Sequence, residues 1–318
     1  MKYYIGLDLG GTNLKYALGD NTGNILVKLT RPSQAQESQE KIFTNMIAAV
    51  EKLMDVAEKN DLQVAAIGVG SPGNVDFENG CIIGQAPNIK DWTDAPIRER
   101  LQMNFHIPVW TDNDANMVAI AEARVGAGRG FNHIVFITVG TGIGGGIVIN
   151  GQLYRGGSFN AAEIGHMSID HQGVSCPCGG IGCLERYAAA PAIIKYYQQR
   201  LIEDGQEVIE ELLSPEFIFE RAKNGENLAV ETLDVATRYL GIGLANVVNL
   251  LNPQAIIIGG GVAEAGEEYI GRVRKVVFER ALRTSLPGLR ILQAQLRGEA
   301  GVVGAILLAA DNTLSFSN

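Results

Sequence analysis

The chain has 318 residues, 46% of them hydrophobic and 19% charged, with a net charge of -9 at pH 7. That length exceeds one small core and suits two domains, and the acidic balance argues against a general nucleic-acid binder, which needs basic patches. No apolar run reaches the roughly 18 residues that span a bilayer, and MKYYIGLDLG enters a strand pattern without a signal-peptide shape, so a cytosolic protein with no membrane partner is expected.

The alternation from Tyr3 to Leu9 predicts a strand that ends in the tight turn GGT. Two more strands are expected over Leu14–Leu18 and Asn24–Leu29, joined by GDNTGN. Phe43, Met46, Ile47, Val50, Leu53, Met54 and Ala57 then recur at helical spacing. Val64–Val69 is a β-branched strand run leading to GSPGNVD. Ile107–Trp110 reads as a short strand ending in TDND, and Asn116–Val125 as a helix. At His133 the opening pattern returns. HIVFITVGTGIGGGIVINGQLYRG (133–156) repeats YYIGLDLGGTNLKYALGDNTGNIL (3–26) as strand, glycine turn, strand, polar turn and strand, at an offset of 130 residues. Leu233, Ala236, Leu240, Leu244, Val247 and Leu251 form a helical stripe that reads as core. Residues 252–266 read as a buried strand, three glycines and a helix, and 298–309 as a small-residue helix that crosses back to the first domain.

Three glycine turns thus follow strands: Leu9–Asn13, Gly140–Gly146 and Gly259–Gly261. Glycine lets backbone N–H groups approach a phosphate with no Cβ in the way. GTGIGG fits the dinucleotide pattern, but a strand and not a helix follows it, which counts against a NAD-dependent oxidoreductase. Gly-Lys occurs nowhere, so there is no P-loop lysine. Phosphate held by two facing β-turns is the remaining reading, against ordinary hairpin glycines.

LDLGGTNLK with the matching GTGIGGG and the later GGGV resembles the actin-like ATPase superfamily of sugar kinases. The resemblance implies an α/β fold of two ribonuclease-H-like domains clasping ATP in an interdomain cleft. It implies phosphate contacts from Gly10, Gly11, Thr12, Asn13, Lys15, Thr141 and Gly142, and adenosine contacts from Gly259, Gly260 and Gly261. By the same resemblance Asp8 positions Mg²⁺ through water; otherwise it caps the turn. The expected division is 1–117 with 298–318, and 118–297.

Three of the four cysteines, Cys176, Cys178 and Cys183, lie in a C-x-C-x4-C pattern. Thiolates suit a structural zinc of four N or S donors, and His166 and His171 are both close enough to complete it. A disulfide is the rival in an oxidising compartment. Cys81 lies far off and reads as a buried small hydrophobe. EIGHMSIDHQGVSCPCGGIGCLE closely resembles the signature of the ROK family (repressors, open reading frames, kinases). That resemblance selects His166 as the fourth ligand and implies sugar contacts from Glu163, His166 and Glu185. Where the family often has a serine shortly after this glutamate, the chain has Ala188, Ala189 and Ala190.

Phosphoryl transfer to a sugar also needs a carboxylate beside the attacking hydroxyl. WTDNDAN offers Asp112 and Asp114, either of which could be an N-cap, and composition does not rank them. The family pattern N-D-x-N implies Asp114 as base and Asn113 as a sugar contact. SPGNVD with Gly73 and APNIKDW with Asn88 are further expected linings of the sugar pocket, against surface loops. Within the family the pattern is most similar to that of glucose-phosphorylating members. The expectation is ATP-dependent phosphorylation of the 6-hydroxyl of glucose, with N-acetylmannosamine, N-acetylglucosamine, allose or fructose as alternative acceptors. Another class, a sugar-sensing repressor, carries an additional N-terminal helix-turn-helix domain, and a first strand at Tyr3 leaves no room for it here. A sugar-binding protein without catalysis is disfavoured by Asp114 and the glycine turns. A homodimer or higher homo-oligomer is expected by resemblance alone.

Overall fold

In a computed structural model of the chain, which describes residues 2–86 and 89–315, the opening alternation becomes an antiparallel meander. β1 (Lys2–Leu9), β2 (Asn13–Asp20) and β3 (Ile25–Pro32) pair in succession, each extending beyond its sequence estimate. α1 (Gln39–Lys59) starts at Ser38, whose hydroxyl accepts from the Lys41 N–H, and it buries Phe43, Met46, Val50, Leu53 and Ala57 as the spacing predicts. β4 (Gln63–Ser71) then adds parallel to β1. The hairpin β5 (Asn74–Asp76) and β6 (Cys81–Ile83) and helix α2 (Ile97–Phe105) precede β7 (Val109–Asn113), which is parallel to β4. β7 thus lies further along than the expected strand.

α3 (Asp114–Val125) likewise begins two residues before the expected start. Asn113 explains this, because its Oδ1 accepts from the N–H of Ala115 at 2.9 Å and of Asn116 at 3.4 Å and starts the helix at once. The second half repeats the first. β8 (Ile134–Val139), β9 (Ile143–Ile149) and β10 (Gln152–Tyr154) form the meander. A long excursion follows through α4 (Glu185–Ala188), α5 (Ala190–Glu203), α6 (Pro215–Lys223) and α7 (Asn227–Leu251). β11 (Ala255–Gly259), α8 (Glu267–Arg280) and β12 (Arg290–Gln293) complete the sheet. The two sheets have equivalent orders, β3-β2-β1-β4-β7 and β10-β9-β8-β11-β12. β9 keeps the offset of 130 residues from β2, whereas β10 is shorter than β3 and begins three residues too early for it.

α9 (Ala300–Ser315), entered through a 3-10 turn at Arg297–Glu299, lies against the first sheet. Its backbone comes so close that a Cβ on Gly68 would stand 1.8 Å from the Ala305 carbonyl oxygen, and one on Gly6 2.5 Å from that of Val302. α3 is shared. Met117, Ile120 and Ala121 pack on Val303, Ala305 and Leu307 of α9, while Ala119 packs on Ile134, Phe136 and Ile257 of the second sheet. The expected division between 117 and 118 falls inside this one helix. Elsewhere the first sheet buries Ile5, Leu7 and Ile67 against Phe43 and Trp92, and the second buries Val135, Ile137 and Ile258 against α5, α7 and α8. Among the described residues no helix is long and apolar enough to cross a membrane.

Candidate active site

In each sheet the central parallel strands end on the same edge, which is where turns can present backbone and side chains to a ligand. On the first sheet, register puts Asp8 beside Gly70 and Gly70 beside Asp112. The two carboxylates that composition could not rank, Asp112 and Asp114, differ sharply here. Asp112 is 2% exposed and saturated: Oδ1 accepts from the Asn113 N–H and from Asn116 Nδ2, both at 2.8 Å, and Oδ2 accepts from Arg155 Nε at 2.7 Å. Asp114, the first residue of α3, forms no ion pair among the described residues. Burial raises its carboxyl above the usual carboxylate range, and hydrogen bonds from Ala115 and Asn113 only partly oppose this. Asp112 is therefore fully engaged within the fold, whereas Asp114 has no cationic partner among the described residues.

Asp8 is pushed up to about 6, first by burial and then by the charge of Asp114, with Lys15 opposing. Lys15 Nζ lies 3.9 Å from the Asp8 carboxylate and donates to the Gly298 carbonyl at 3.0 Å, just before α9. The adjoining turn is closed by Gly10 N–H to the Asn13 carbonyl at 2.9 Å, and it leaves Gly11, Thr12 and Asn13 exposed. The equivalent turn after β8 is closed by Gly140 N–H to Gly142 O at 2.9 Å, with Thr141 exposed. Gly259, the last residue of β11, is buried, while Gly260 and Gly261 beyond it are exposed. Gly260 has φ +88, and a Cβ there would lie 2.4 Å from the Val139 carbonyl oxygen, so the position requires glycine.

Gly73 has φ +99, and its carbonyl accepts from Asn113 Nδ2 at 3.0 Å. Asn113 thus spends its oxygen on the helix cap and its amide on Gly73 and Asp114, which fixes the start of α3. Asn88 lies outside the described residues. Glu163 precedes a 3-10 turn at Ile164–His166. Its carboxyl is raised first by burial, with His166 opposing and Glu185 and Asp114 adding, so these four groups share one electrostatic neighbourhood. Glu185, the first residue of α4, accepts from the Ile143 N–H at 2.9 Å, which ties it to the second glycine turn.

The ring of His166 bridges two sites. Nε2 stands 3.8 Å from the Glu163 carboxylate, while Nδ1 stands 3.8 Å from Cys176 Sγ. The ligand atoms of His166, Cys176, Cys178 and Cys183 all lie within 4.8 Å of one another. Cys178 Sγ and Cys183 Sγ are 3.6 Å apart, close to the edge of a tetrahedron with Zn–S bonds of about 2.3 Å. The four donors fit a closed structural zinc. His171 is exposed and lies outside this cluster. All four cysteines are free thiols, and Cys81 is half-buried rather than fully buried.

Two further residues escaped the sequence reading. Arg155 reaches from the second sheet to Asp112 in the first. Glu122, 0% exposed on α3, accepts from the N–H groups of Ala127, Gln295 and Leu296 at 2.8, 2.9 and 2.8 Å. Neither AIAEARV, where Glu122 and Arg124 read as the polar side of a helix, nor LYRGG carried a signal for them.

A family model described as "ROK family" matches residues 4–312. A glucokinase of Halalkalibacterium halodurans is 35% identical over 310 residues, which cover 95% of this chain and 93% of that protein. A putative xylose repressor of a Caldicellulosiruptor species is 32% identical, covering 98% of this chain and 79% of the repressor. A crystal structure of a ROK family glucokinase from Streptomyces griseus, in complex with glucose and AMPPNP, superposes with a TM-score of 0.80 at 34% identity, covering 97% of this chain and 99% of that one.

Proposed function

Because the chain belongs to the ROK family, we propose that it is an ATP-dependent hexose kinase that phosphorylates the 6-hydroxyl of glucose. The observation that carries this reading is the division of labour at TDND. Arg155 and the start of α3 saturate Asp112, and Asp114, beside Asp8 and Glu163, is left without an ion pair among the described residues. The likeness to glucokinases, one of them seen with glucose and AMPPNP, supports the choice of ligands.

In the reaction the 6-oxygen of the sugar attacks the γ-phosphorus of ATP, the bond to the β–γ bridging oxygen breaks, and ADP leaves. Asp114 orients the hydroxyl and takes its proton. Transfer has a loose transition state, so positioning outweighs basicity and an elevated carboxylate is adequate. Gly11, Thr12, Asn13, Thr141 and Gly142 offer N–H and hydroxyl donors to the phosphates, Gly10 closes the turn that presents them, and Lys15 offers a cation. Gly259, Gly260 and Gly261 leave room for the adenosine. Asn113, Glu163, His166 and Glu185 bind sugar hydroxyls, with Gly73 shaping the pocket floor. Mg²⁺ entering with ATP would be held near Asp8 and would neutralise phosphate charge. Zinc on His166, Cys176, Cys178 and Cys183 would fix the loop and the orientation of the imidazole that meets Glu163. The two sheets are read as two actin-like units, 1–117 with 298–318 and 118–297, with α3 at the seam and the cleft between them closing to exclude water.

A sugar-responsive regulator without catalysis is the second reading, favoured by the likeness to the xylose repressor. The test is ADP release with Mg-ATP across glucose, mannose, fructose, allose, N-acetylglucosamine and N-acetylmannosamine. The kinase reading expects turnover with glucose foremost, and an Asp114→Asn loss of about 10²–10⁴-fold in kcat with sugar binding retained. Sugar binding without turnover on any acceptor would favour the regulator.

A further inference from the structure

We propose that Arg155 is a positioning residue for the transfer step, locking the strand end that carries Asp114 to the loop that carries Glu163; this rests on the kinase reading above. Arg155 lies one residue beyond β10, in the second sheet, and its side chain is 19% exposed. Its Nε reaches Asp112 Oδ2, at 2.7 Å, in the last strand of the first sheet. The same guanidinium lies 3.7 Å from the centroid of the Phe77 ring, just past β5, and Phe77 stacks on Trp110 of β7 at 5.9 Å. Arg98 approaches Trp110 at 5.1 Å.

These contacts link three segments. Asp112 uses its other oxygen to hold the Asn113 N–H and the Asn116 amide, so it sets the first turn on which Asp114 rides. Phe77 belongs to the hairpin that follows Gly73, and Gly73 is tethered to Asn113. On its own side, the Arg155 carbonyl accepts from the Ala161 N–H at 3.0 Å, closing the loop that delivers Glu163 two residues later. A shift of Arg155 therefore moves the base and a sugar contact relative to each other. The site also needs Arg155 for charge. Without it Asp112 would be a buried, uncompensated anion two residues from Asp114, where the phosphates of ATP must approach. Lysine could supply the charge, but not a planar cation that ion-pairs at one edge while lying on an aromatic face.

The experiment compares wild type, Arg155→Lys, Arg155→Met and the double variant Asp112→Asn with Arg155→Met. The double variant avoids a lone buried carboxylate, so it keeps the test open if the single Met variant fails to fold. Turnover is measured on the best acceptor of the sugar panel. In parallel, the chain is labelled with 5-fluorotryptophan. It has two tryptophans, so Trp110 gives one of two resonances, assigned with Trp110→Phe. Expected is a kcat loss of about 10²-fold for both Met-containing variants, with sugar KM changed less than about five-fold, and partial rescue by Arg155→Lys. The Trp110 resonance should move when sugar binds to wild type and should not when Arg155 is Met. A kcat within two-fold of wild type in the double variant overturns the proposal. If wild type itself shows no turnover, the kinase reading fails separately. The linkage is then judged on the resonance alone, and a sugar-induced shift that survives in the double variant overturns it.

Discussion

Replacing Asp8 by Asn should make the free protein more stable while stopping its chemistry. The carboxyl sits 19% exposed, with burial the main influence on it, and titrates at about 6 against 3.8 for an unperturbed aspartate. Below pH 3.8 it is protonated in both folded and unfolded chains and carries no penalty. Between 3.8 and about 6 the unfolded chain releases the proton and the folded chain keeps it, so stability falls as pH rises. Above that range the full penalty is present. A difference of roughly two pKa units at 1.36 kcal/mol each sets a ceiling of about 3 kcal/mol. Asparagine keeps the shape and removes the charge. In Mg- and nucleotide-free protein at pH 8, Asp8→Asn should therefore gain about 1–3 kcal/mol against denaturant, and the gain should shrink to about 1 kcal/mol or less at pH 4.5. ATP turnover should fall by about 10²-fold or more, since the group that would help hold Mg²⁺ is gone. A variant no more stable than wild type at pH 8, or equally favoured at both pH values, would refute the assignment of strain to this carboxylate.

Cys178→Ser alters an exposed ligand and should cut bound zinc well below about one per chain by elemental analysis, with sugar KM rising about 10–100-fold. Full activity in a zinc-free protein would dismiss the scaffold role. Glu122→Ala strips three backbone N–H groups of their acceptor and should cost about 3 kcal/mol or more in denaturant unfolding, while Glu122→Gln keeps an acceptor and should cost less. Gly68→Ala drives a methyl group into the Ala305 carbonyl and should cost about 1–3 kcal/mol or more; an unchanged melting temperature would mean that α9 can slide aside.

What the sequence disclosed and what it withheld follow from range. Period-two alternation, the stripe on α1 and the glycine turns are local, and each became the expected element. The ranking of Asp112 against Asp114 was not local, because it turns on Arg155, 43 residues along the chain and just past the edge strand of the other sheet. Glu122 looked like one more residue of an amphipathic helix, since the backbone groups it holds at Gln295 and Leu296 are 173 and 174 residues away. Spacing likewise left His166 and His171 open, because both lie at a ligand's distance in sequence. Gly6 and Gly68 carried no turn signal. Their meaning is a packing surface for a helix some 240–300 residues later.

That late helix also sets the order in which the chain can be finished. β1 is synthesised long before α9, and until α9 emerges from the ribosome the sheet face bearing Tyr4, Ala17 and Ala66 has no cover. The second sheet, continuous from Ile134 to Gln293, has all its strands before then. The first half to be made is thus the last to be completed. It waits as an open apolar sheet, the kind of intermediate that chaperones hold and that aggregation consumes. A nonsense mutation that removed only the final turns would leave every proposed catalytic residue in place, yet it would leave the face that α9 covers incompletely sealed.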